Sequence, residues 1–198
     1  MYKDLGRKPS DKDAEEAIEV LIRWADDSPG REGLSLTAGR VLSAYKESFQ
    51  GYALESSHDF RNSVFANEGY SDMILLRGVN FSSTCEHHMS PMTGVVNVSY
   101  IPKATVIGVG AIVRVVDIFA KRLQVQERMT VQIAQFLGAL LKPAGVAVLI
   151  EAEHWCAKYS GGEAANGLKL QTSCMLGEFQ NNQDMRSEFF CRIGCKFS

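Results

Sequence analysis

The sequence lacks any long run of apolar residues, and this absence excludes a first class of proteins. A transmembrane helix needs about 18 or more consecutive apolar residues, and no segment reaches that length. The N-terminal segment MYKDLGR is polar and has no apolar core of the kind that a secretory signal contains. We therefore expect a cytoplasmic protein that is neither secreted nor inserted in a membrane.

Positive charge is present but is not concentrated anywhere. Lysine and arginine number 21 against 23 aspartates and glutamates, which gives a formal net charge of −2. Proteins that neutralise nucleic-acid phosphates carry basic patches, so we do not expect nucleic-acid binding. With 198 residues, of which 45% are apolar and 22% charged, the chain has the composition of a globular domain, with or without an accessory arm.

Cysteine and histidine are few, but they occur together. Five cysteines, an odd number, in a chain without a secretion signal do not predict a disulfide framework. Three of the four histidines lie in two short segments that each contain a cysteine, Cys85-Glu86-His87-His88 and His154-Trp155-Cys156. Metal binding or thiol catalysis is the better interpretation of these two cysteines. The other cysteines have no neighbour at ligand spacing and are interpreted as structural: Cys174, Cys191 and Cys195.

Hydrophobic periodicity predicts helices and strands in alternating pairs. It favours one helix over 13–26, after a cap at Ser10 or Asp11, and another after Thr37, followed by a loop over 50–71. The later predicted elements are strands over 73–81 and 93–101, helices over 110–123 and 125–141, strands over 146–158 and 168–175, and a short helix from about Asn182. This order indicates an α+β fold with an antiparallel sheet. Residues 1–70 are predicted as a helical arm and residues 71–198 as the catalytic domain.

The two cysteine–histidine segments have the spacing of a zinc site. Cys-x-x-His is a frequent half-site, because thiolate and imidazole both suit this borderline-soft ion. On a strand, His154 and Cys156 would face the same side while Trp155 faces away. The two helices between the segments would return the second strand alongside the first. Two other interpretations remain open, namely residues buried in a core and a closed structural zinc site.

Five candidate ligands are more than a closed site needs, and this surplus favours an open one. In an open site, three protein ligands leave a position for water, whose pKa falls to about 7. Histidines that do not bind the metal can then transfer protons near neutral pH. The pattern predicts hydrolysis by a zinc-activated water, built from Cys85, His87, His88, His154 and Cys156.

A second polar group, Gln124-Val125-Gln126-Glu127-Arg128, stands at the predicted start of a helix. A glutamate at this point can simply interact with the helix dipole. Alternatively, a buried Glu127 beside Gln126 can hold a planar, amidine-like edge of a ligand. Glu151 and Glu153 need no functional role, since a solvated strand face accounts for both.

These motifs occur in an order that resembles the GTP cyclohydrolase I family. The similarity is collinear from about Arg31 to Arg192 and so covers most of the chain. It is carried by Arg40-Val41, Cys85-Glu86-His87-His88, Tyr100-Ile101-Pro102, the run from Val116 to Arg128, Gly145-Val146-Ala147-Val148, His154-Trp155-Cys156 and Met175-Leu176-Gly177-Glu178-Phe179.

The resemblance implies a tunnelling fold, an antiparallel sheet with paired helices on one face, preceded by an N-terminal helical segment. It also implies a homo-oligomer, a decamer of two pentamers, with active sites at subunit interfaces. The implied reaction opens the imidazole ring of a purine at C8, releases formate and, in full, yields dihydroneopterin triphosphate. The implied roles are zinc ligands (Cys85, His88, Cys156), proton-transfer groups (His87, His154) and ligands of the guanine edge (Gln126, Glu127).

The family's triphosphate site is only partly matched. Arg40 and Arg114 correspond to two of its basic positions. Small residues stand at three others, where Ser43 and Ser160 each replace a basic residue and Gly110-Ala111 replaces a Ser-Lys pair. Each lost charge-assisted contact with phosphate costs about 1.5–3 kcal/mol.

Three hypotheses about function follow from these departures. The leading one is a zinc-dependent cyclohydrolase whose guanine-like substrate carries fewer phosphates than GTP. The second is an ordinary GTP cyclohydrolase I of pterin or folate biosynthesis, in which other side chains contact the phosphates. The third is a catalytically silent family member that binds a purine.

Overall fold

The computed structural model describes residues 8–57, 59–161 and 167–194, which form a mixed α+β structure. The α+β class predicted from the sequence is therefore confirmed. The described residues group into two compact units, which divide between Phe49 and Gln50. The predicted division into a helical arm and a catalytic domain remains a prediction.

The first unit contains two helices, α1 (Asp11–Trp24) and α2 (Thr37–Ser48). A capping box begins α1: the Ser10 side chain accepts a hydrogen bond from the Asp13 N–H, and the Asp13 carboxylate accepts one from the Ser10 N–H. Such a cap satisfies free N–H groups of the first turn and stabilises a helix by about 1 kcal/mol. Helix α1 therefore starts earlier than predicted, with Ser10 rather than Asp11 as its cap.

The second unit contains the remaining described elements. In chain order these are α3 (Gly51–Ser57), a 3-10 helix (Phe60–Ser63), β1 (Val64–Ala66), β2 (Ile74–Cys85), β3 (Pro91–Ile101), β4 (Thr105–Ile107), α4 (Val109–Ala120), β5 (Leu123–Gln124), α5 (Gln126–Leu141), β6 (Gly145–His154), α6 (Trp155–Gly161), β7 (Leu170–Gly177), α7 (Glu178–Asn181) and α8 (Gln183–Arg192). No helix formed by the described residues is long and apolar enough to cross a membrane.

Five strands form the main sheet, in the order β5-β2-β3-β6-β7. Strands β2, β3, β6 and β7 pair antiparallel, whereas the short β5 pairs parallel to the end of β2. The β3–β6 ladder runs from Ile101 opposite Gly145 to Met92 opposite His154. Strand β3 therefore separates β6 from β2, and the prediction that these two strands lie side by side is wrong. Strands β1 and β4 form a separate two-stranded sheet.

Helices α4 and α5 pack against the main sheet and enclose the core with it. Val96 and Val98 of β3 are almost fully buried in one cluster with Val115 of α4 and Ile133 of α5. Burying a side chain of this size stabilises the fold by about 1.5–3 kcal/mol. The core thus holds in place the end of the sheet at which β2 and β6 both terminate.

Two further predictions differ clearly from the structure. The predicted loop over 50–71 is wrong, because α3, the 3-10 helix and β1 lie there. The predicted strand over 146–158 is too long, since β6 ends at His154. Its neighbours pair with it no further than Met92 on β3 and Leu170 on β7. The backbone beyond His154 therefore leaves the ladder and continues as α6.

Candidate metal centre and active site

Cys85 is the last residue of β2, and His87 and His88 lie in the tight connection from β2 to β3. The Cys85 N–H donates to the Ser90 carbonyl (2.9 Å), and the Met89 N–H donates to the Cys85 carbonyl (2.8 Å). Met89 has a φ of 50°, in the left-handed region that non-glycine residues rarely adopt. This turn leaves Cys85 buried and presents both histidines at the surface.

Cys156 reaches the same place from the other side of β3. Strands β2 and β6 both run antiparallel to β3, so their carboxyl ends lie at one edge of the sheet. Strand β6 ends there at His154, and Cys156 follows in the first turn of α6. The prediction that His154 and Cys156 share one face of a strand is wrong, because Cys156 belongs to a helix. The sheet nevertheless brings the two segments together.

Cys85, His88 and Cys156 form a compact group of potential metal ligands. Their ligand atoms all lie within 4.8 Å of one another, and the Cys85 Sγ lies 3.8 Å from the His88 Nδ1. In a tetrahedral zinc site with bonds of about 2.0–2.3 Å, neighbouring ligand atoms lie about 3.5 Å apart. Thiols and imidazoles are also donors that zinc prefers. The group therefore fits zinc and leaves a fourth position for water or substrate.

Burial raises the pKa of the Cys156 thiol, and the neighbouring Cys85 thiol raises it further. A divalent cation between the two sulfurs would favour both thiolates and so reverse these effects. The Ser90 hydroxyl lowers the pKa of Cys156 and so acts in the same direction as a cation. Ser90 Oγ is buried and has no geometric hydrogen-bond partner among the described residues.

Arg128, near the start of α5, is hydrogen-bonded to the connection between β2 and β3 (residues 86–90, the ligand turn). Its guanidinium donates to the Glu86 carboxylate, to the Gln124 side-chain oxygen (2.9 Å) and to the Leu123 carbonyl (3.1 Å). The hydrogen bond from Arg128 lowers the pKa of Glu86, since the guanidinium stabilises the carboxylate. No role for Arg128 could be predicted from the sequence, because Glu86 lies 42 residues away at no diagnostic spacing.

His154 stands at the end of β6 with its Nε2 lying 2.8 Å from the Gln126 Oε1. Burial lowers the pKa of His154, and the negative charge of Glu127 partly offsets this effect. A neutral imidazole near neutral pH suits a proton-transfer group. His87, the other residue expected in that role, has a side chain that is 63% exposed. Its Nδ1 lies 4.0 Å from the Cys85 Sγ.

Gln126 and Glu127 are neighbours in the sequence but have opposite environments. Gln126 is 0% exposed. Its amide nitrogen lies 3.0–3.1 Å from three acceptors, the Ile150 carbonyl, the Leu170 carbonyl and the Thr172 hydroxyl. Glu127 is exposed and forms no hydrogen bond or ion pair with the other described residues. Of the two side chains, only that of Glu127 has polar atoms available to a ligand.

A cavity of about 260 Å³ opens beside the ligand group, with mostly apolar walls. Its lining residues are His88, His154, Cys156, Ala157, Leu168 and Leu170. A larger groove of about 430 Å³ lies on the sheet surface around Gly94 and Glu151, but no thiol or imidazole lines it. The smaller cavity is therefore the candidate active site.

The residues of α4 that align with the family's phosphate site differ in exposure. Arg114 is exposed, and it does not belong to the described lining of the cavity. Ala111 is only 7% exposed and belongs to the hydrophobic core. At Gly110 a side chain would meet nothing within 4 Å. Position 111 therefore faces the interior of the subunit, where a lysine side chain would not fit without cost.

The other positions of the expected phosphate site lie on other elements. Arg40 is exposed in the first unit, and the Ser43 hydroxyl donates to the Gly39 carbonyl in the same helix (2.9 Å). The Ser160 side chain lies outside the described part of the structure, as does Cys195.

The sequence is similar to known proteins of one family. The sequence profile of the family described as GTP cyclohydrolase I matches residues 14–194. The protein named GTP cyclohydrolase 1 of Brucella anthropi is 46% identical over 92% of this chain and 85% of its own length. Those of Maricaulis maris and Sinorhizobium fredii are 42% and 43% identical, over 93% and 94% of this chain and 90% of each relative. The resemblance inferred from the motifs is confirmed: the chain belongs to the GTP cyclohydrolase I family, whose members are hydrolases acting on a cyclic amidine C–N bond.

Proposed function

We propose that the chain catalyses the GTP cyclohydrolase I reaction, in which GTP is hydrolysed to 7,8-dihydroneopterin triphosphate and formate for pterin biosynthesis. One observation carries the proposal: three relatives named GTP cyclohydrolase 1 are 42–46% identical to the chain over 92–94% of its length. Identity spread over that length supports the same activity on the same substrate. This proposal reverses the order of the hypotheses drawn from the sequence, in which a substrate with fewer phosphates than GTP was the leading one.

The proposal assigns a zinc ion to Cys85, His88 and Cys156. Two thiols and one imidazole within 4.8 Å support this assignment, because they match zinc in chemistry and in spacing. When bound to three protein ligands, zinc lowers the pKa of a coordinated water to about 7 and so supplies the nucleophile for hydrolysis. The last residue of β2 and the first turn of α6 carry the two thiols at the same end of the sheet.

His87 and His154 are assigned to proton transfer. Opening a purine at C8 requires a proton for the departing ring nitrogen, and release of formate requires further proton shifts. His154 lines the cavity, and burial lowers its pKa, so that the neutral ring is available to accept a proton. His87 is mostly exposed and can exchange protons with solvent.

Glu127 is assigned to the guanine edge. Guanine presents N1–H and the exocyclic amino group side by side, and one carboxylate can accept from both. The charge of Glu127 acts on His154, which supports a position close to the cavity. The resemblance alone places Gln126 at this edge, where its amide is fully buried. It alone also supports Arg40 and Arg114 as ligands of the triphosphate.

A guanine-like substrate with fewer phosphates is the second candidate. The observation that favours it is the burial of Ala111, which stands where the family carries a lysine. Ser43 and Ser160 stand at two further basic positions. Three missing contacts at about 1.5–3 kcal/mol each would weaken triphosphate binding by several powers of ten, unless other cations replace them.

The tunnelling fold and a decamer of two pentamers complete the proposal. Four antiparallel strands with α4 and α5 packed against them support the fold. The decamer rests on the family resemblance. Light scattering on the purified protein should give the mass of ten 21.8 kDa chains, and a monomeric mass would contradict it.

Steady-state kinetics of the zinc-loaded protein with GTP, GMP and guanosine distinguish the two candidates. We expect kcat/KM to be higher for GTP than for guanosine by about 100-fold or more, because two charge-assisted phosphate contacts contribute about 3 kcal/mol. The product, after oxidation and dephosphorylation, should be fluorescent neopterin.

The control is the same protein after chelation and after zinc is added back. Activity should disappear with the metal and return with it. An equal or higher kcat/KM for GMP or guanosine would replace the first candidate by the second. Absence of hydrolysis with all three substrates would contradict both.

A further inference from the structure

The Gln126 amide is held by a set of hydrogen bonds whose directions are determined. Thr130 Oγ1 donates to the Gln126 backbone carbonyl at 2.7 Å, which uses the only hydroxyl hydrogen of Thr130. Thr172 Oγ1 lies 2.7 Å from Thr130 Oγ1 and must therefore be the donor in that contact. With its own hydrogen used, Thr172 can only accept from the Gln126 Nε2, at 3.1 Å.

Two backbone carbonyls require the same amide orientation. The Gln126 Nε2 also lies 3.1 Å from the Ile150 carbonyl and 3.0 Å from the Leu170 carbonyl. A flipped amide would place its oxygen against these carbonyl oxygens in a fully buried site, at the cost of unpaired polar groups. The amide nitrogen therefore faces β6 and β7, and the amide oxygen faces the His154 Nε2 at 2.8 Å.

The direction of this last hydrogen bond follows from the chemistry of an amide oxygen, which accepts hydrogen bonds and cannot donate them. The His154 Nε2 must carry the hydrogen, and in the neutral ring the Nδ1 then has the lone pair. We propose that Gln126 is a positioning residue that holds the neutral His154 ring in the Nε2–H tautomer, with the lone pair on Nδ1. This inference rests on the proton-transfer role proposed for His154.

The same contacts remove Gln126 from the substrate site. Its two N–H bonds are used on main-chain and hydroxyl acceptors, and its oxygen is used on His154. No polar atom of this side chain is left for a guanine ring, so Glu127 is the side chain of the pair that binds the guanine edge. A glutamate at 126 could not donate to the two strands, and a hydrocarbon side chain could neither donate nor accept.

Nitrogen-15 NMR of the histidine rings tests the tautomer directly. The chain has four histidines, so histidine-labelled protein in the solid state gives few signals, and His154→Asn identifies those of His154 by their loss. At about pH 8, above the ordinary histidine pKa of about 6.5, we expect a protonated Nε2 and an unprotonated Nδ1. The result should be the same with and without zinc. A protonated Nδ1 on His154 would overturn the proposal.

Kinetics of Gln126→Leu and Glu127→Gln separate positioning from binding. We expect Gln126→Leu to lower kcat by about 10- to 100-fold, as loss of an oriented acid–base group does, with little change in KM for GTP and with mixed tautomers at His154. Glu127→Gln should raise KM and leave the tautomer unchanged. Gln126→Leu with a raised KM and an unchanged kcat would make Gln126 a substrate ligand and overturn the proposal.

Gln126→Leu also removes the side-chain donor to the Ile150 and Leu170 carbonyls and can impair folding. Thr172→Val is therefore the second variant, because it removes one of the three acceptors of the Gln126 amide and does not touch His154. It should lower kcat less than Gln126→Leu, at unchanged KM, because the two carbonyls still hold the amide, while a raised KM with an unaltered kcat would overturn the proposal. If the wild-type protein does not hydrolyse GTP, the proposed function fails, and the tautomer measurement still decides this inference.

Discussion

Gly94 of β3 lies opposite Ala152 of β6, so close that a Cβ on Gly94 would come within 2.0 Å of the Glu151 carbonyl oxygen. The same ladder ends two residues further along β6, where Met92 pairs with His154. The absence of a side chain at Gly94 therefore permits the close strand approach that precedes the candidate active site.

Gly94→Ala should lower the free energy of unfolding by about 1–3 kcal/mol, because β3 and β6 must separate to admit the methyl group. The displaced end of β6 should also lower zinc occupancy. Denaturant unfolding at fixed protein concentration and metal analysis measure the two effects.

The matched control for this change is Gly110→Ala on α4, where a Cβ meets nothing within 4 Å. We expect this variant to be neutral or more stable by about 0.5 kcal/mol, because alanine has less freedom in the unfolded chain. Equal stability of the Gly94 and Gly110 variants would contradict the tight β3–β6 contact.

Cys85→Ser and Cys156→Ser should each lose most of the bound zinc, since two remaining ligands do not hold the ion against solvent. Elemental analysis of the purified variants gives the zinc content per chain, and hydrolysis should fall to background with it. Cys174→Ala is the control, because Cys174 lies in β7 outside the ligand group. Full zinc content in Cys85→Ser would remove Cys85 from the proposed ligands.

Arg128→Met should increase the rate of zinc loss to a chelator by about tenfold, as changes next to metal ligands do. The variant leaves the Glu86 carboxylate and the Leu123 carbonyl without their donor. Arg61→Met is a control with the same change of side chain, because the Arg61 side chain is 86% exposed and pairs with Asp59 at the surface. Such a surface pair contributes about 0–1 kcal/mol. Equal rates of zinc loss in the two variants would mean that Arg128 does not hold the ligand turn.

A metal site among Cys85, His87, His88, His154 and Cys156 could be predicted from the sequence, because the motifs are local and zinc accepts few donor types. The choice of Cys85, His88 and Cys156 as the ligands came from the family resemblance. The residue at which β6 ends could not be predicted, since it depends on where the neighbouring strands stop pairing. The partner of His154 could not be predicted either. Gln126 lies 28 residues earlier, and only the fold shows that its amide points into the protein.

Position 111 illustrates the same limit for the phosphate site. Alignment with the family motif gives the residue type that is missing, a lysine. It does not tell which face of α4 packs against the sheet, and Ala111 lies on the buried face. Substitutions at the aligned positions are therefore expected to have unequal effects.

Ser43→Lys should lower KM for GTP by about tenfold, the value of one charge-assisted contact of about 1.4 kcal/mol. Ser43 is exposed on α2, and its hydroxyl donates only to the Gly39 carbonyl of the same helix, so the longer side chain is tolerated. KM for guanosine should not change, because that substrate has no phosphate. Ala111→Lys, by contrast, places an ammonium in the core and should destabilise the protein by several kcal/mol without improving GTP binding. Unchanged KM for GTP in Ser43→Lys would place position 43 outside the triphosphate site and favour the substrate with fewer phosphates.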